Sequence, residues 1–239
     1  MQQVKLLPVP ETREENINNI VYTANDLCKE YNSRTRNFKL HPVSLNIKLG
    51  ELTAVVGENG NGKTNLLRCL AGQLALDNGE IKYHLLQKPD HYAIKNHIAF
   101  IPQRIPKWYG RLKDNLHFSA SIAGVYGAKN DLMVNFMLER LNLSRYAHLT
   151  WSQISSGYRT RFEIARILLQ KPKLLILDEP FSGLDPIGMR DLKDILKKQK
   201  DMGKTIFLNS HILSEMEQIC DDVAILNKGE ILFSGSIQS

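Results

Sequence analysis

Residues 52–70, LTAVVGENGNGKTNLLRCL, decide the fold of this chain. Residues 52–56 are mostly apolar and rich in β-branched side chains, and a glycine-rich turn, residues 57–62, separates them from an apolar segment with helical spacing. This order predicts a strand, a phosphate-binding loop and a helix. Glycine admits backbone conformations that other residues avoid, so successive N–H groups can turn inward and, with the helix N-terminus, surround an anion.

The side chains of this loop predict a nucleotide site. Lys63 is expected to lie against the β- and γ-phosphates, and the Thr64 hydroxyl is expected to bind Mg²⁺. A glycine-rich turn with a chance lysine is the alternative, but the pattern stands in the strand-to-helix context that a phosphate loop requires. The residues predicted to contact the nucleotide here are Gly57, Glu58, Asn59, Gly60, Asn61, Gly62, Lys63, Thr64 and Asn65.

Length and composition limit the class of protein. The chain has 239 residues, of which 43% are hydrophobic and 23% charged, and its formal net charge is +6. These fractions are ordinary for a globular domain, and no apolar run approaches the roughly 20 residues of a membrane-spanning helix. We therefore expect any membrane crossing to belong to another chain. The positive charge permits binding to nucleic acid or anionic lipid without demonstrating either.

The first 19 residues and the cysteines indicate where the chain works. Residues 1–19 are polar and lack the basic region and apolar core of a secretory signal, so we expect a poorly ordered lead-in before a single domain, residues 20–239. The cysteines, Cys28, Cys69 and Cys220, are far apart and form no CxxC pair. This spacing favours a reduced cytosolic compartment without a structural metal.

Most of the chain alternates predicted strands and helices. Strands are expected at residues 20–27, 43–49, 52–56, 81–86, 98–101, 174–177, 205–208, 223–226 and 231–233. Helices are expected at residues 158–169, 186–200 and 212–219. Residues 30–42 are predicted to be a polar loop. Residues 104–157 are predicted to be a mostly helical insertion, in which Leu132, Phe136, Leu138 and Leu141 form the apolar side of one helix.

Two adjacent carboxylates follow the fully apolar strand at residues 174–177. Such a strand is typical of one buried on both faces, and ligands of open α/β sheets bind at the carboxyl ends of strands. Asp178 is expected to hold Mg²⁺ through its water shell, and Glu179 to orient and polarise the water that attacks the γ-phosphate. A merely polar strand exit is the alternative, and the phosphate loop in the same chain favours the catalytic interpretation.

A second anion-binding pattern, ISSGY at residues 154–158, stands directly before a predicted helix; we name it the signature segment. A serine at this place ordinarily caps a helix. A serine hydroxyl, a glycine and a helix N-terminus can also bind an anion together. One nucleotide does not obviously require two such sites.

Taken in order, GENGNGKT, Gln103, ISSGY, LLILDE, SGLD and the histidine after TIFLNS resemble the motifs of ATP-binding cassette (ABC) ATPases over residues 20–233. The resemblance implies an α/β P-loop NTPase fold with a mainly parallel core sheet, an antiparallel β subdomain and a helical insertion subdomain. It also implies ATP and Mg²⁺ as cofactors. A second ABC subunit, identical or different, would pair head to tail with this one, so that Ser155 and Gly157 reach the γ-phosphate bound by the other subunit.

The same resemblance implies roles for four further residues. Gln103 would touch Mg²⁺ and the attacking water, and Asp185 would contact the opposite subunit. His211 would bridge to the γ-phosphate, and Tyr31 would stack on adenine. Alternatives stay open: Asp185 also fits a helix start, a lone histidine is often a satisfied strand-end residue, and either Phe38 or no ring stacks on the base.

The chain departs from the family pattern at two places. The signature segment reads ISSGY where LSGGQ is typical, so Ser156 and Tyr158 alter the shape around the retained Ser155 and Gly157. Asn65 replaces the usual hydroxyl residue after Thr64, which puts its contact with the α-phosphate in doubt. Neither change removes a required charge.

Residues 182–235 look like exporter cassettes that work with separately encoded membrane subunits. The resemblance thus implies an ATP-hydrolysing transporter subunit, held at the cytoplasmic face of the cell membrane by a transmembrane permease subunit. No nucleic acid partner is expected. Two rival hypotheses are a soluble ABC ATPase acting on ribosomes or nucleic acid, and a regulatory module that binds ATP without hydrolysing it.

The segment after Gln103 offers a candidate docking surface. IPKWYGRL, residues 105–112, puts Trp108 and Tyr109 beside positively charged residues. Amphipathic aromatic residues are common interface anchors. The alternative is that both rings fill a junction between subdomains.

Overall fold

The structure, a computed structural model, describes residues 20–32, 37–84 and 91–237. The predicted lead-in at residues 1–19 and the last two residues of the predicted strand 81–86 lie outside these ranges. In chain order the elements are β1 (Ile20–Asn32), β2 (Asn37–Lys48), β3 (Leu52–Val56), α1 (Lys63–Leu70), β4 (Asn78–Tyr83), α2 (His91–His97), β5 (Ile98–Ile101), α3 (Leu112–Ile122), α4 (Gly127–Arg140), α5 (Ser156–Leu168), β6 (Leu174–Leu177), α6 (Pro186–Asp201), β7 (Thr205–Ser210), α7 (Leu213–Met216), β8 (Asp222–Asn227) and β9 (Glu230–Ser236).

A six-stranded sheet forms the centre of the α/β fold, with the order β5-β6-β7-β3-β8-β9. Its first five strands pair in parallel, and β9 returns antiparallel to β8. Every residue of β3, β6 and β7 is buried, as expected for strands covered on both faces. The predicted mainly parallel core sheet is therefore confirmed.

The register of this sheet decides where the loops meet. Val56 of β3 lies beside Ser210 of β7, and Leu177 of β6 lies beside Leu208. The phosphate loop, the acidic pair and the histidine therefore leave three neighbouring parallel strands at the same edge. Ligands of open α/β sheets bind at this carboxyl edge.

A second sheet, antiparallel and ordered β2-β1-β4, packs beside the first. The prediction of a polar loop at residues 30–42 is wrong, because β1 continues to Asn32 and β2 starts at Asn37. Tyr31 pairs with Phe38, and Lys29 pairs with Leu40. An antiparallel sheet can leave one face in water, so polar side chains do not end these strands.

Three element bounds differ from the prediction. Residues 91–97, for which no element was predicted, form α2, and the helix expected at residues 212–219 covers only Leu213–Met216. The strand expected to start at residue 81 starts at Asn78, as β4. In each case short-range composition did not decide the local structure.

A mostly helical segment fills the interval between β5 and β6, as predicted. It contains α3, α4, two 3₁₀ helices (Ser144–Tyr146 and Trp151–Gln153) and the start of α5. Trp108 packs edge-on against Phe162 of α5, with ring centroids 6.2 Å apart, and its indole N–H donates to Glu163. Trp108 thus joins this segment to α5, whereas Tyr109 is 82% exposed.

The predicted apolar face of α4 is partly wrong. Leu138 is buried and Leu141 is buried just after the helix, but Leu132 and Phe136 are 71% and 53% exposed. The packed face instead carries Asn130, Val134 and Leu138, four residues apart each time.

Asn130 explains this shift of the packed face. Its amide nitrogen donates to the carbonyl oxygens of His117 and Val125 and to the Ser121 hydroxyl, at 2.8–3.0 Å. A buried amide with its hydrogen bonds satisfied can occupy a core position. A pattern that counts only apolar residues therefore misplaces the helix face.

None of the helices in residues 20–32, 37–84 and 91–237 has the length and apolar character that a bilayer-spanning helix needs.

Two leucines of α4 test its packed face. We expect Leu138→Ala to lower the free energy of unfolding by about 2–5 kcal/mol, because it leaves a cavity among buried side chains. The matched control, Leu132→Ala, should change it by less than about 0.5 kcal/mol, because Leu132 is exposed. Equilibrium urea denaturation measures both. Equal losses for the two variants would contradict the observed orientation of α4.

Candidate functional site

The phosphate loop connects β3 to α1 in a path that requires glycine at two positions. A Cβ at Gly57 would lie 2.1 Å from the carbonyl oxygen of Leu226. Gly62 has a φ of 101°, and a Cβ there would lie 2.3 Å from the ring of Phe38. The loop is therefore pressed between β8 and an aromatic ring of β2.

Lys63 lies inside this loop. Its side chain is 5% exposed and lies 3.4 Å from Glu179 Oε1. The ammonium Nζ donates to the carbonyl oxygens of Gly57 at 2.7 Å and Glu58 at 3.1 Å. The loop thus holds a positive charge at its centre, beside the N-terminus of α1, where an anion is favoured.

One oxygen of Asp178 joins three elements of the site. Asp178 Oδ1 accepts from the Thr64 hydroxyl of α1 at 2.9 Å and from Asn209 Nδ2 of β7 at 2.7 Å. Asn209 Oδ1 in turn accepts from the backbone N–H of Glu179. Asn209, fully buried, therefore fixes both members of the acidic pair.

Asn209 was not predicted from the sequence. The signal for it is an amide side chain within TIFLNS, a strand otherwise suited to complete burial. A buried polar group needs hydrogen-bond partners. Asn209 lies near the end of the strand next to the one that precedes Asp178 and Glu179, so this acidic pair supplies its partners.

Glu179 lies between the side chains of Lys63 and His211. Its Oε1 faces Lys63, and its Oε2 lies 3.0 Å from Nδ1 of His211. The Glu179 side chain is 8% exposed, whereas that of His211 is 45% exposed. Glu179 also has a φ of 48°, a conformation that non-glycine residues adopt rarely and that occurs at functional sites. The carboxylate is thus held in one orientation, and the histidine can reach a ligand.

A cleft of about 950 Å³ runs from this edge to the antiparallel sheet. It brings together residues from β1, β2, the phosphate loop, α1 and the ends of β5 and β6. The lining residues are Tyr31, Phe38, Asn59, Gly60, Gly62, Lys63, Thr64, Asn65, Arg68, Gln103 and Glu179. Tyr31, Gln103 and Glu179, which lie far apart in sequence, thus meet the phosphate loop in one cleft.

Phe38, Tyr31 and Asn61 each contact a different part of the structure. Phe38 packs on Gly62, and Lys29 Nζ lies 5.4 Å from the ring centroid of Tyr31. Asn61 directs its amide to Leu226 and Asn227 of β8, at 3.3 Å each. Phe38 of β2 and Asn61, through its bonds to β8, therefore both support the loop.

The oxygen donors of the cleft fit Mg²⁺. Mg²⁺ in nucleotide sites takes one or two protein ligands, several waters and phosphate oxygens. The Thr64 hydroxyl and the Asp178 carboxylate meet at 2.9 Å, and the amide of Gln103 lines the same cleft. In the described part of the chain, no group of three or more His, Cys, Asp or Glu could hold a metal by itself.

The remaining predicted residues lie elsewhere. Ser155, Gly157 and Asp185 are all described, and none is among the lining residues of the cleft. Ser155 is exposed before α5, and within the described chain its side chain makes no capping bond to that helix. Asp185 caps α6 by accepting from the backbone N–H of Gly188 at 2.7 Å. The predicted site residues thus form two separate groups.

The signature segment is held by an aromatic pair. The ring of Tyr158 lies 3.9 Å from that of Tyr146, and its hydroxyl accepts a 2.8 Å hydrogen bond from Tyr146. The aromatic substitution in ISSGY therefore anchors the start of α5 to the 3₁₀ helix at Ser144–Tyr146.

Comparison with known proteins gives the family. Residues 40–182, more than half of the chain, match the family model described as ABC transporter. The chain is 36% identical over 214 residues to the uncharacterized ABC transporter ATP-binding protein YxlF of Bacillus subtilis, an alignment that covers 89% of this chain and 70% of YxlF.

Two further proteins extend this comparison. The bacitracin transport ATP-binding protein BcrA of Bacillus licheniformis is 35% identical over 211 residues, with 87% of this chain and 67% of BcrA covered. The solved structure of cbiO1 from Clostridium perfringens, described as part of the ABC transporter complex cbiONQ, superposes with a TM-score of 0.81 at 26% identity, covering 92% of this chain and 90% of cbiO1. The chain spans only part of some relatives, down to 56% of the length of one from Synechocystis.

The phosphate loop, the acidic pair and the signature segment all lie within the residues that match the family model. The chain belongs to the ABC transporter family, as one of its ATP-binding, ATP-hydrolysing cassettes.

Proposed function

We propose that this chain is the ATPase subunit of a membrane exporter, in which ATP closes a head-to-tail pair of cassettes and hydrolysis reopens it. The division of the site residues carries this proposal. Lys63, Thr64 and Glu179 line one cleft, whereas Ser155 and Asp185 are exposed outside it. A second cassette would bring its own Ser155 to the cleft of this one, and the arrangement would be repeated in the other cleft.

The cleft offers separate places for the parts of ATP. The phosphate loop, the N-terminus of α1 and Lys63 would bind the phosphates, because backbone N–H groups and an ammonium favour negative charge. Tyr31, which lines the same cleft, would stack on adenine. Phe38 packs on Gly62, so we assign it to support of the loop rather than to the base.

Thr64, Asp178 and Gln103 would hold Mg²⁺. When bound, Mg²⁺ supplies positive charge to the β- and γ-phosphate oxygens and orients them for displacement.

Glu179 would orient and polarise the attacking water. Its two oxygens already have fixed partners in Lys63 and His211, which holds the carboxylate plane toward the cleft. His211 is exposed enough to reach the γ-phosphate, and Lys63 balances the charge that develops there. The catalytic contribution of the chain is thus mainly positioning and electrostatic stabilisation.

A separate membrane subunit would dock beside Gln103. Tyr109 is 82% exposed, and Lys107 Nζ lies 5.6 Å from its ring centroid. A large amphipathic ring beside a positive charge suits an interface with a cytoplasmic segment of the permease. This places the chain at the cytoplasmic face of the membrane, and the similarity to a bacitracin transport protein supports a transport role.

Glu179→Gln tests the paired mechanism. The amide keeps the size of the side chain but is a poor base, so we expect phosphate release to fall at least about 100-fold while ATP binding persists. The variant should form dimers at saturating ATP, measured by light scattering after gel filtration. The matched control, Glu179→Gln with Lys63→Ala, should remain monomeric. A single variant that also stays monomeric at saturating ATP would count against the paired mechanism.

Asn209→Ala tests the link between the two carboxylates. It leaves the buried Glu179 N–H without its side-chain partner and removes one of the two hydrogen bonds to Asp178 Oδ1, so we expect kcat to fall about 10-fold and the unfolding free energy to fall by about 1–3 kcal/mol. Asn46→Ala, at an exposed position of β2, is the control and should change neither. Phosphate-release kinetics and urea denaturation measure both quantities. Wild-type kcat in Asn209→Ala would show that the link is dispensable.

Tyr109→Ala tests the docking surface. Because Tyr109 is exposed, we expect the variant to keep the melting temperature and the ATP affinity of the wild type, yet to recover less of the membrane subunit on co-purification. Trp108→Ala is the comparison: it should lower the melting temperature, because Trp108 packs on Phe162. Full recovery of the membrane subunit with Tyr109→Ala would exclude Tyr109 as an anchor.

A further inference from the structure

Ser156 makes a hydrogen bond that the usual glycine at its place in the signature segment cannot make. Its hydroxyl donates to the carbonyl oxygen of Gly183 at 2.9 Å. Gly183 belongs to the sequence SGLD, residues 182–185, which ends in Asp185, the cap of α6. The bond therefore connects the signature segment to residues 182–185, and neither segment lines the cleft.

Two more contacts join the same segments. Gly157 faces Leu184, and a Cβ added at Gly157 would lie at van der Waals distance, 3.4 Å, from Leu184 Cδ2. One turn later, Arg161 Nη2 forms a 2.7 Å ion pair with Asp191 Oδ2 of α6, with the Arg161 side chain only 7% exposed. The start of α5 thus lies against residues 182–185 and α6 and is joined to them by a hydrogen bond and an ion pair.

Arg161 also contacts an aromatic ring of α5 itself. The Arg161 guanidinium lies 5.0 Å from the ring centroid of Tyr158, and Tyr158 is paired with Tyr146. Arg161 therefore lies between an aromatic ring and a carboxylate. These contacts leave the first turn of α5 little freedom to move apart from the loop before α6.

We propose that Ser156 is a positioning residue, which joins the signature segment to residues 182–185 so that both meet a second cassette as one unit. This inference rests on the proposed function, in which Ser155 and Asp185 act across the interface between cassettes. Two segments that move independently would each lose freedom when the cassettes close, whereas segments already joined lose less. Preorganisation of this kind acts on the closed state, where hydrolysis occurs.

The hydrogen bond between Ser156 and Gly183 is exposed to solvent in the free chain. A hydrogen bond in contact with water contributes little to the stability of the free chain, whereas the same bond shielded from water is stronger. Closure of the cassettes over Ser156 would exclude water from it. Loss of the Ser156 hydroxyl should therefore lower turnover more than ATP affinity or thermal stability. A merely structural role would instead lower thermal stability first.

The experiment compares Ser156→Ala, which removes the donor, with Ser156→Thr, which keeps it. In the full chain we expect Ser156→Ala to lower kcat for ATP about 3- to 10-fold, as for one net hydrogen bond. We expect KM for ATP to stay within about 2-fold and the melting temperature to stay at the wild-type value. Ser156→Thr should restore most of kcat. Ser234→Ala, at an exposed position of β9, is the matched control and should behave as wild type.

A second measurement observes the connection itself. At saturating ATP, where the cassettes are closed, amide hydrogen exchange in residues 182–185 should be faster in Ser156→Ala than in wild type, and Ser156→Thr should restore the wild-type rate. Unchanged exchange and unchanged kcat in Ser156→Ala would overturn the inference. So would a Ser156→Thr variant as slow in turnover as Ser156→Ala, or a loss of kcat that follows a fall in melting temperature.

One further variant separates this inference from the proposed function. Lys63→Ala should abolish phosphate release under the proposed function. If it does and Ser156→Ala has wild-type kcat, only the positioning role fails. If Lys63→Ala leaves phosphate release unchanged, the proposed function fails, and with it the positioning role that depends on closure.

Discussion

The site depends on one carboxylate oxygen. Asp178 Oδ1 accepts hydrogen bonds from Thr64, at the start of α1, and from Asn209, at the end of β7. These bonds are possible because β6, β7 and β3 are parallel neighbours whose carboxyl ends meet at one edge. A shift of one residue in either strand would reverse the direction of the side chains, so the sheet register and the acidic pair depend on each other.

The same edge explains why the phosphate loop keeps its shape. Gly57 passes β8 at a distance that excludes any side chain, and Phe38 of the second sheet lies against Gly62. Asn61 adds bonds to the end of β8. The loop is therefore supported by both sheets, and its N–H groups need little reorganisation to receive phosphate. Such preorganisation lowers the cost of binding.

Sequence patterns predicted those parts of the fold and site that depend on local chemistry. The buried strands at residues 52–56 and 174–177 and the phosphate loop follow from apolar runs and glycine spacing. The extension of β1 and β2 into polar sequence depends on pairing between strands, which periodicity does not reveal. The face of α4 was misplaced because Asn130, a polar residue, satisfies its hydrogen bonds inside the core. Asn209 is also a buried polar residue. It was missed because its hydrogen-bond partners follow β6, and the pairing of β6 with β7 brings them beside it.

The separation of the site into two groups has an energetic consequence under the proposed function. A ligand shifts an equilibrium between two states only by the difference in its affinity for them. Under that function ATP would bind the cleft of one cassette, and contacts from Ser155 and Gly157 of a second cassette would form only after closure. Those contacts would supply the difference in affinity. Because they would be directed at the γ-phosphate, its loss on hydrolysis would remove the difference and return the pair to the open state.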